Sequence, residues 1–271
     1  MSITELLQLI RSHSKYDLSG IKDAYLIRQI HHHQQKAGIT NQDDFHTFLL
    51  RDSTALKNLV RACLNNATRF FRNPQLFDIL RQHIFPDLIS QKTSQQKPLK
   101  IWVTACSTGD EVYSLAIVLD QLLAEVPTTP KMQILATDLS AEAIQTAQEG
   151  STLGSNLVDV NDDVRKRYFT YQDGRYYVRP VIKDYVKFMA HDFLLPQTHP
   201  NTIPFTDFDL IICRNALLYY DNDSQIQAIR YLHNYLNNNG LFILSEFELM
   251  PRVCSDLFQK SEYAPYIFSK K

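Results

Sequence analysis

The chain has little cysteine, and the spacing of what it has pairs none of it. Cys63, Cys106, Cys213 and Cys254 lie far apart and form no CxxC. That argues against a disulfide scaffold and a zinc site, and for a reducing compartment. No run of about 18 or more apolar residues occurs, so no membrane-spanning segment is expected. The opening MSITELLQLIRSHSKYD has no basic segment leading into an apolar core and no small-residue cleavage site. It does not read as a secretion signal, and a cytoplasmic location is the expectation. Neither GxGxxG nor GxxxxGK[ST] is present, which speaks against dinucleotide and triphosphate sites. There is no internal repeat and no extended low-complexity tract. His31, His32 and His33 point in three directions if they lie on a helix, so no metal site is expected there.

What is present describes an ordinary globular protein. The 271 residues are 44% hydrophobic and 21% charged, enough for one large domain or two modest ones. The net charge of −1 conceals an asymmetry: residues 1–97 carry 13 Lys and Arg against 8 Asp and Glu, hence +5, and the remainder carries −6. A mildly basic front suits an acidic partner. The charge is too weak and scattered to indicate nucleic acid. Ordinary solvated surfaces explain it as well. Nothing in the sequence speaks to oligomeric state.

The organisation changes once. Up to about residue 90 the apolar residues recur at three- and four-residue spacing, which predicts an all-helical domain over 1–90. Ser19, Asn41, Ser53 and Asn73 stand where N-caps belong, Pro74 follows at a first helical position, and Gly38 closes the second helix. The polar SQKTSQQKPLK predicts a linker at 91–98. Beyond it, over 99–271, strands and helices alternate. LKIWVTA, MQILATD, FDLIICRN and LFILSE are apolar strands, and DSQIQAIRYLHNYLNNNG is a helix closed by Gly240. Continuous apolar strands alternating with helices predict an α/β domain, a parallel sheet covered on both faces. Asp173-Gly174 between aromatic flanks predicts a hairpin, a small antiparallel excursion over about 168–190.

The stretch TACSTGDEVYSLA behind the first strand asks for a ligand. An open parallel sheet binds beyond the carboxyl ends of its strands, and small residues there admit a close backbone approach. Asp110 and Glu111 open the next helix, although its dipole alone would also select acids. Asp138 ends the second strand, where a nucleoside-binding sheet places a carboxylate against ribose hydroxyls; a plain strand-end acid is the alternative. Acids at both strand ends repel phosphate and suit a cationic nucleoside such as S-adenosylmethionine.

At these residues the sequence resembles the CheR-type chemotaxis receptor methyltransferases, which methylate glutamate side chains of bacterial chemoreceptors. NNATRFFRNP, ACSTGDEVYSLA, ATDLSAEAI and FDLIICRNALLYYD are similar to four family motifs, in the family's order. The likeness covers nearly the whole chain. It implies a Rossmann-like, S-adenosylmethionine-dependent methyltransferase domain, an N-terminal all-helical domain and a small antiparallel insertion. The product would be S-adenosylhomocysteine and the partner the cytoplasmic helical domain of a chemoreceptor.

The resemblance also implies roles. Asn66, Thr68 and Arg72 match positions that reach the cofactor from the helical domain. Ala105 and Glu111 match contacts in the first loop, and Asp138 the ribose carboxylate. Asp192 and Phe193 match a pair near the adenine, and Asn215 and Ala216 match contacts beyond a later strand. Tyr219 matches a tyrosine near the methyl-transfer site, and Arg72 is the candidate to hold the acceptor carboxylate.

Each residue also has a plain reading. Asn66 or Thr68 could end a helix, Arg72 could be solvated, Asp192 could shape a turn, and Tyr219 could be packing. Asp110 and Val112 replace a family glutamate and proline, and GSTLGSNLVDVNDD matches only loosely. The hairpin YFTYQDGRYYVRP is short. Family members that grip a receptor's tethering pentapeptide use a longer loop, so a pentapeptide-independent enzyme is expected. The other readings are a methyltransferase of another acceptor and a non-catalytic signalling module of the same fold.

Overall fold

The computed structural model describes residues 2–64, 68–194 and 203–271. They divide into two compact units.

The first unit holds residues up to 64 together with Leu217–Gln225. Its helices are α1 (Ile3–His13), α2 (Asp23–Lys36), α3 (Gln42–Arg51) and α4 (Ser53–Cys63). Each is amphipathic, and Leu6, Ile10, Leu26, Ile30, Phe45, Leu49 and Leu59 meet in one core. Asn41 caps α3 as expected, accepting from the Asp43 amide at 2.7 Å. Two expected caps shift. Asp52, not Ser53, caps α4, because its carboxylate reaches the Thr54 and Ala55 amides at 2.9 and 3.0 Å. Ser19 caps nothing: Ile21 forms a β-bridge with Tyr220 and the Lys22 amide donates to Tyr219 at 2.9 Å, which delays α2 to Asp23.

The second unit holds the sheet. Its helices are α5 (Pro74–Ile79), α6 (Phe85–Gln95), α7 (Asp110–Leu123), α8 (Ala141–Glu149), α9 (Asp162–Tyr168) and α10 (Pro180–Lys183), with α11 (Asn222–Tyr235) belonging to it from Ile226 onward. Strands β1 (Leu99–Thr104), β2 (Met132–Asp138), β6 (Val186–Ala190), β7 (Phe208–Cys213), β8 (Leu236–Ile243), β9 (Phe258–Lys260) and β10 (Ile267–Lys270) form one sheet. Its order is β6-β2-β1-β7-β8-β10-β9. The first five strands are parallel, and β10 runs antiparallel to both neighbours. From β1 the chain moves outward through β2 to β6, then returns to the other side of β1 as β7. The order therefore reverses between β1 and β7, where such a sheet opens its ligand crevice.

Three expectations need correction. Residues 68–90 do not extend the helical front. Phe70, Leu76, Phe77, Leu80, Ile84 and Phe85 are buried in the same core as Ile101, Val103 and Ile212 of the sheet. Residues 91–98 are not an extended linker, because α6 runs to Gln95 with Ile89 and Lys92 buried. Gly240 does not close α11, which stops at Tyr235; it lies within β8, where an added Cβ would come within 2.9 Å of the Asn237 carbonyl oxygen.

The antiparallel insertion is present but differs in extent. Strands β3 (Ser151–Thr152), β4 (Phe169–Gln172) and β5 (Arg175–Val178) form a separate three-stranded sheet. Asp173 and Gly174 both adopt left-handed backbone angles, as a two-residue hairpin turn requires. Strand β6, expected inside this excursion, instead pairs in parallel with β2.

Candidate functional site

The carboxyl ends of β1 and β7 carry unusual backbone. Ala105 and Ser107 after β1 and Asn215 after β7 have φ of 51°, 51° and 57°, and Gly109 has 90°. Left-handed angles at non-glycine residues cost energy and gather where a chain must wrap a ligand. Gly109 leaves no room for another residue, since a Cβ there would lie 3.1 Å from that of Ala147.

Asp138, at the end of β2, holds that turn. One carboxylate oxygen accepts from the Ser107 amide at 2.8 Å and the other from the Ser140 amide at 2.8 Å. Burial raises its pKa, and those two amides oppose the rise. A carboxylate has about four lone-pair sites, so two remain for hydroxyl donors. The His191 amide donates to the Asp138 carbonyl at 2.9 Å, setting the neighbouring segment beside this strand end. In that segment Asp192 accepts from the Leu194 amide at 2.8 Å, and Phe193 is buried.

The two acids that open α7 do different work. Asp110 is buried, accepts from the Asn156 side chain at 3.0 Å, and has its pKa pushed up to about 7 by burial. Glu111 is charge-paired: its carboxylate lies 2.9 Å from the buried guanidinium of Arg214. Glu246 lies 3.6 Å from the same guanidinium. Burial alone would raise the Glu246 pKa, but its own amide, Asn73 and Arg214 together hold it below the ordinary value. Glu248 accepts from the Asn215, Ala216 and Ser245 amides at 3.0, 3.0 and 2.9 Å, bracing the loop after β7.

This network reaches Arg72. The Asn73 side chain is among the groups that lower the Glu246 pKa, and Arg72 stands between two left-handed residues, Phe71 and Asn73. The segment is pinned on its other side. The Phe70 amide donates to Asn156 at 3.0 Å and the Phe71 amide to the Ser114 hydroxyl at 2.9 Å. Arg69 pairs with Asp159 at 2.9 Å. Arg72 is thus half-buried on a strained, anchored turn.

The structure brings Thr68, Arg72, Ala105, Glu111, Asp138, Asp192, Phe193, Asn215 and Ala216 into the second unit, with all but Thr68 at or linked to these strand ends. Asn66 lies outside the described residues. Tyr219 belongs to the helical unit, its ring centroid 4.6 Å from that of Tyr25. Arg214, Glu246 and Glu248 were not singled out in the sequence. Their signal was faint: an arginine directly before Asn215, and two acids alternating with apolar residues in SEFELM.

Comparison with known proteins decides the family. Residues 66–267 match the CheR methyltransferase, SAM binding domain, and residues 1–64 match the CheR methyltransferase, all-alpha domain. The chain is a member of the CheR methyltransferase family.

Among relatives, it is 30% identical over 218 residues to chemotaxis protein methyltransferase 1 of Pseudomonas aeruginosa, covering 77% of this chain and 75% of that one. It is 27% identical over 232 residues to the chemotaxis protein methyltransferase of Listeria innocua, 86% and 84% of the two chains. An uncharacterized 104.1 kDa protein of Rhodobacter capsulatus shares 30% identity over 226 residues, 82% of this chain but 23% of that protein. The chain therefore spans about a quarter of that relative and most of the other two.

The CheR member's cofactor is S-adenosylmethionine, and the strand ends suit it. Asp138 keeps spare acceptor capacity. Carboxylates at Glu111, Asp138, Glu246 and Glu248 outnumber the guanidiniums of Arg72 and Arg214, which favours a cation over a phosphate. Among the described residues no cluster of three metal-ligating side chains occurs.

Proposed function

We propose that this CheR-family protein transfers the methyl group of S-adenosylmethionine to glutamate side chains of chemoreceptors in the cytoplasm, giving glutamate methyl esters. One observation carries the reading. Arg72 is fixed on a strained turn and joined through Asn73, Glu246 and Arg214 to the strand ends that suit the cofactor. The names of the P. aeruginosa and L. innocua relatives support the chemotaxis assignment.

The roles follow from chemistry. S-adenosylmethionine supplies, when bound, a methyl group already activated on a sulfonium. Asp138 accepts from the ribose hydroxyls, and the turn from Ala105 to Gly109 and the pair Asn215–Ala216 border the nucleoside. Glu111, Asp192 and Phe193 complete the cofactor side, and the family resemblance assigns Asn66 and Thr68 to it as well. The acceptor needs no general base, since a glutamate of pKa about 4.3 is ionised at neutral pH. Arg72 holds that carboxylate with directional hydrogen bonds. In-line placement of a well-oriented pair removes about 7–11 kcal/mol of barrier. The family resemblance gives Tyr219 a role in methyl transfer. The partner is the helical cytoplasmic domain of the receptor. The two-residue turn at Asp173-Gly174 leaves little loop to grip a tethering pentapeptide, so recognition is pentapeptide-independent.

The test is incubation with methyl-labelled cofactor and receptor-containing membranes, followed by peptide mapping. Base-labile label on receptor glutamates is expected. Label on another residue type, or none, overturns the reading. Micromolar affinity for a receptor's C-terminal pentapeptide would overturn the pentapeptide claim alone.

A further inference from the structure

The crevice between β1 and β7 is braced on each side by a carboxylate from the next strand out. On one side Asp138, at the end of β2, holds the Ser107 amide of the loop after β1. On the other Glu248, past the end of β8, holds the loop after β7. Its Oε2 accepts from the Asn215 and Ser245 amides at 3.0 and 2.9 Å, and its Oε1 from the Ala216 amide at 3.0 Å. The sheet order makes the two sides alike, since β2 flanks β1 and β8 flanks β7. Both carboxylates are buried, Asp138 at 8% exposure and Glu248 at 6%. The three Glu248 bonds lie beyond the strands, because β7 ends at Cys213 and β8 at Ile243. They add nothing to the ladder. What they fix is the loop, where Asn215 holds a φ of 57° that costs energy in a residue other than glycine.

We propose that Glu248 is a positioning residue for the cofactor: its carboxylate holds the Asn215–Ala216 loop in the conformation that receives S-adenosylmethionine. This rests on the assignment of that loop to the cofactor side given above. The two carboxylates differ in what they have left. Asp138 takes one amide on each oxygen and keeps capacity for ribose hydroxyls. Glu248 has about four lone-pair sites and gives three of them to amides, so it acts through the backbone it holds. A carboxylate is the group suited to this. It is an acceptor only, and it takes several N–H groups from different directions without presenting a donor of its own. The glutamine isostere cannot do the same. Its NH2 would meet one of the three amides donor to donor, leaving that amide buried and unpaired. The left-handed Asn215 is then free to relax, and the backbone that borders the nucleoside moves with it.

The experiment measures S-adenosylhomocysteine affinity by calorimetry, and amide exchange residue by residue by NMR, for wild type, Glu248→Gln, Glu248→Asp and Lys92→Met. All are compared at a temperature where circular dichroism shows them folded. Lys92→Met is the control, since it breaks the ion pair with Asp209 at the other end of the sheet and lowers stability without touching this loop. In free wild type the Asn215, Ala216 and Ser245 amides should exchange slowly, and S-adenosylhomocysteine should slow the first two further. Glu248→Gln should weaken binding about tenfold or more, the scale of losing a hydrogen bond to a charged group, and speed exchange at one or more of the three amides. Glu248→Asp keeps the charge one methylene short and should lose affinity by a smaller factor; Lys92→Met should bind as wild type does. A folded Glu248→Gln of wild-type affinity overturns the positioning role alone, and if that variant does not fold, Glu248→Asp of wild-type affinity does so. Fast exchange of the three amides in free wild type has the same result. So does an equal loss of affinity in Lys92→Met, which would trace the effect to general destabilisation. Exchange at Asn215 and Ala216 that the ligand leaves unchanged in wild type overturns the assignment of the loop to the cofactor side, and the positioning role with it.

Discussion

The two ends of the central sheet both bury charge, and they handle it differently. At the amino end, Asp209 of β7 meets Lys92 at 2.5 Å and accepts from the Lys100 amide at 3.0 Å and the Asn237 side chain at 2.8 Å. Every partner is local to that corner, and the result is a closed ion pair that fastens α6 to the sheet. At the carboxyl end the accounts stay open. Asp138 keeps acceptor capacity, and among the described residues Arg214 Nε and Nη2 and Ser245 Oγ have no hydrogen-bond partner. The backbone there is left-handed at Ala105, Ser107 and Asn215. Buried polar groups are normally satisfied, so unsatisfied ones gathered beside a strained backbone mark where a guest completes them. The comparison separates buried charge that holds a fold from buried charge that awaits a ligand.

The comparison can be broken from either side. Arg72→Ala should lower methyl transfer about a hundredfold or more, the scale for losing one preorganised charged donor. Its unfolding midpoint should stay near wild type; near-wild-type transfer would remove Arg72 from the mechanism. Asp138→Ala should weaken S-adenosylhomocysteine binding tenfold or more by calorimetry, given about 1.5–3 kcal/mol for a charge-assisted hydrogen bond. Lys92→Met should do the reverse. It leaves Asp209 buried without its cation and should cost about 3 kcal/mol in urea unfolding, while cofactor affinity stays unchanged. A fall in affinity there would erase the distinction between the two ends.

A smaller effect concerns pH. Burial pushes the Asp110 carboxyl up to about 7 in the folded state, from an ordinary value of 3.8. The native state therefore holds a proton that the unfolded chain releases. Stability from that proton is fully present below the unfolded value and is lost as pH rises through about 7. Wild type should lose stability relative to Asp110→Asn between pH 4 and 7, at about 1.4 kcal/mol per unit of pKa difference as an upper scale. Parallel urea curves for the two proteins across that range would contradict the assignment.

How much the sequence showed depended on how far apart the interacting residues lie. The buried strands β1, β2 and β7 were legible because each carries a run of apolar residues, 101–103, 134–136 and 210–213, with one polar residue near its start. Strand β6 was not, because VKFMA is short and half-exposed at the sheet edge. The passage from α11 to β8 was misread because HNYLNNNG carries helical spacing up to a glycine, while the sheet claims Leu236 onward. Asp138 and Arg72 were visible through local motifs. The network between them was not: Arg214 and Glu111 are 103 residues apart in sequence. Pairings over such distances leave no local pattern to read. Asp110 is a related case, since its side chain serves Asn156 rather than only the helix dipole that a sequence suggests.

The most direct test of the carboxyl-end assignment is a crystal structure with S-adenosylhomocysteine. The nucleoside should lie at the crevice between β1 and β7, its ribose on the Asp138 carboxylate and its body along Ala105–Gly109 and Asn215–Ala216. A ligand bound elsewhere, or a crevice filled by the protein's own side chains, would contradict the account.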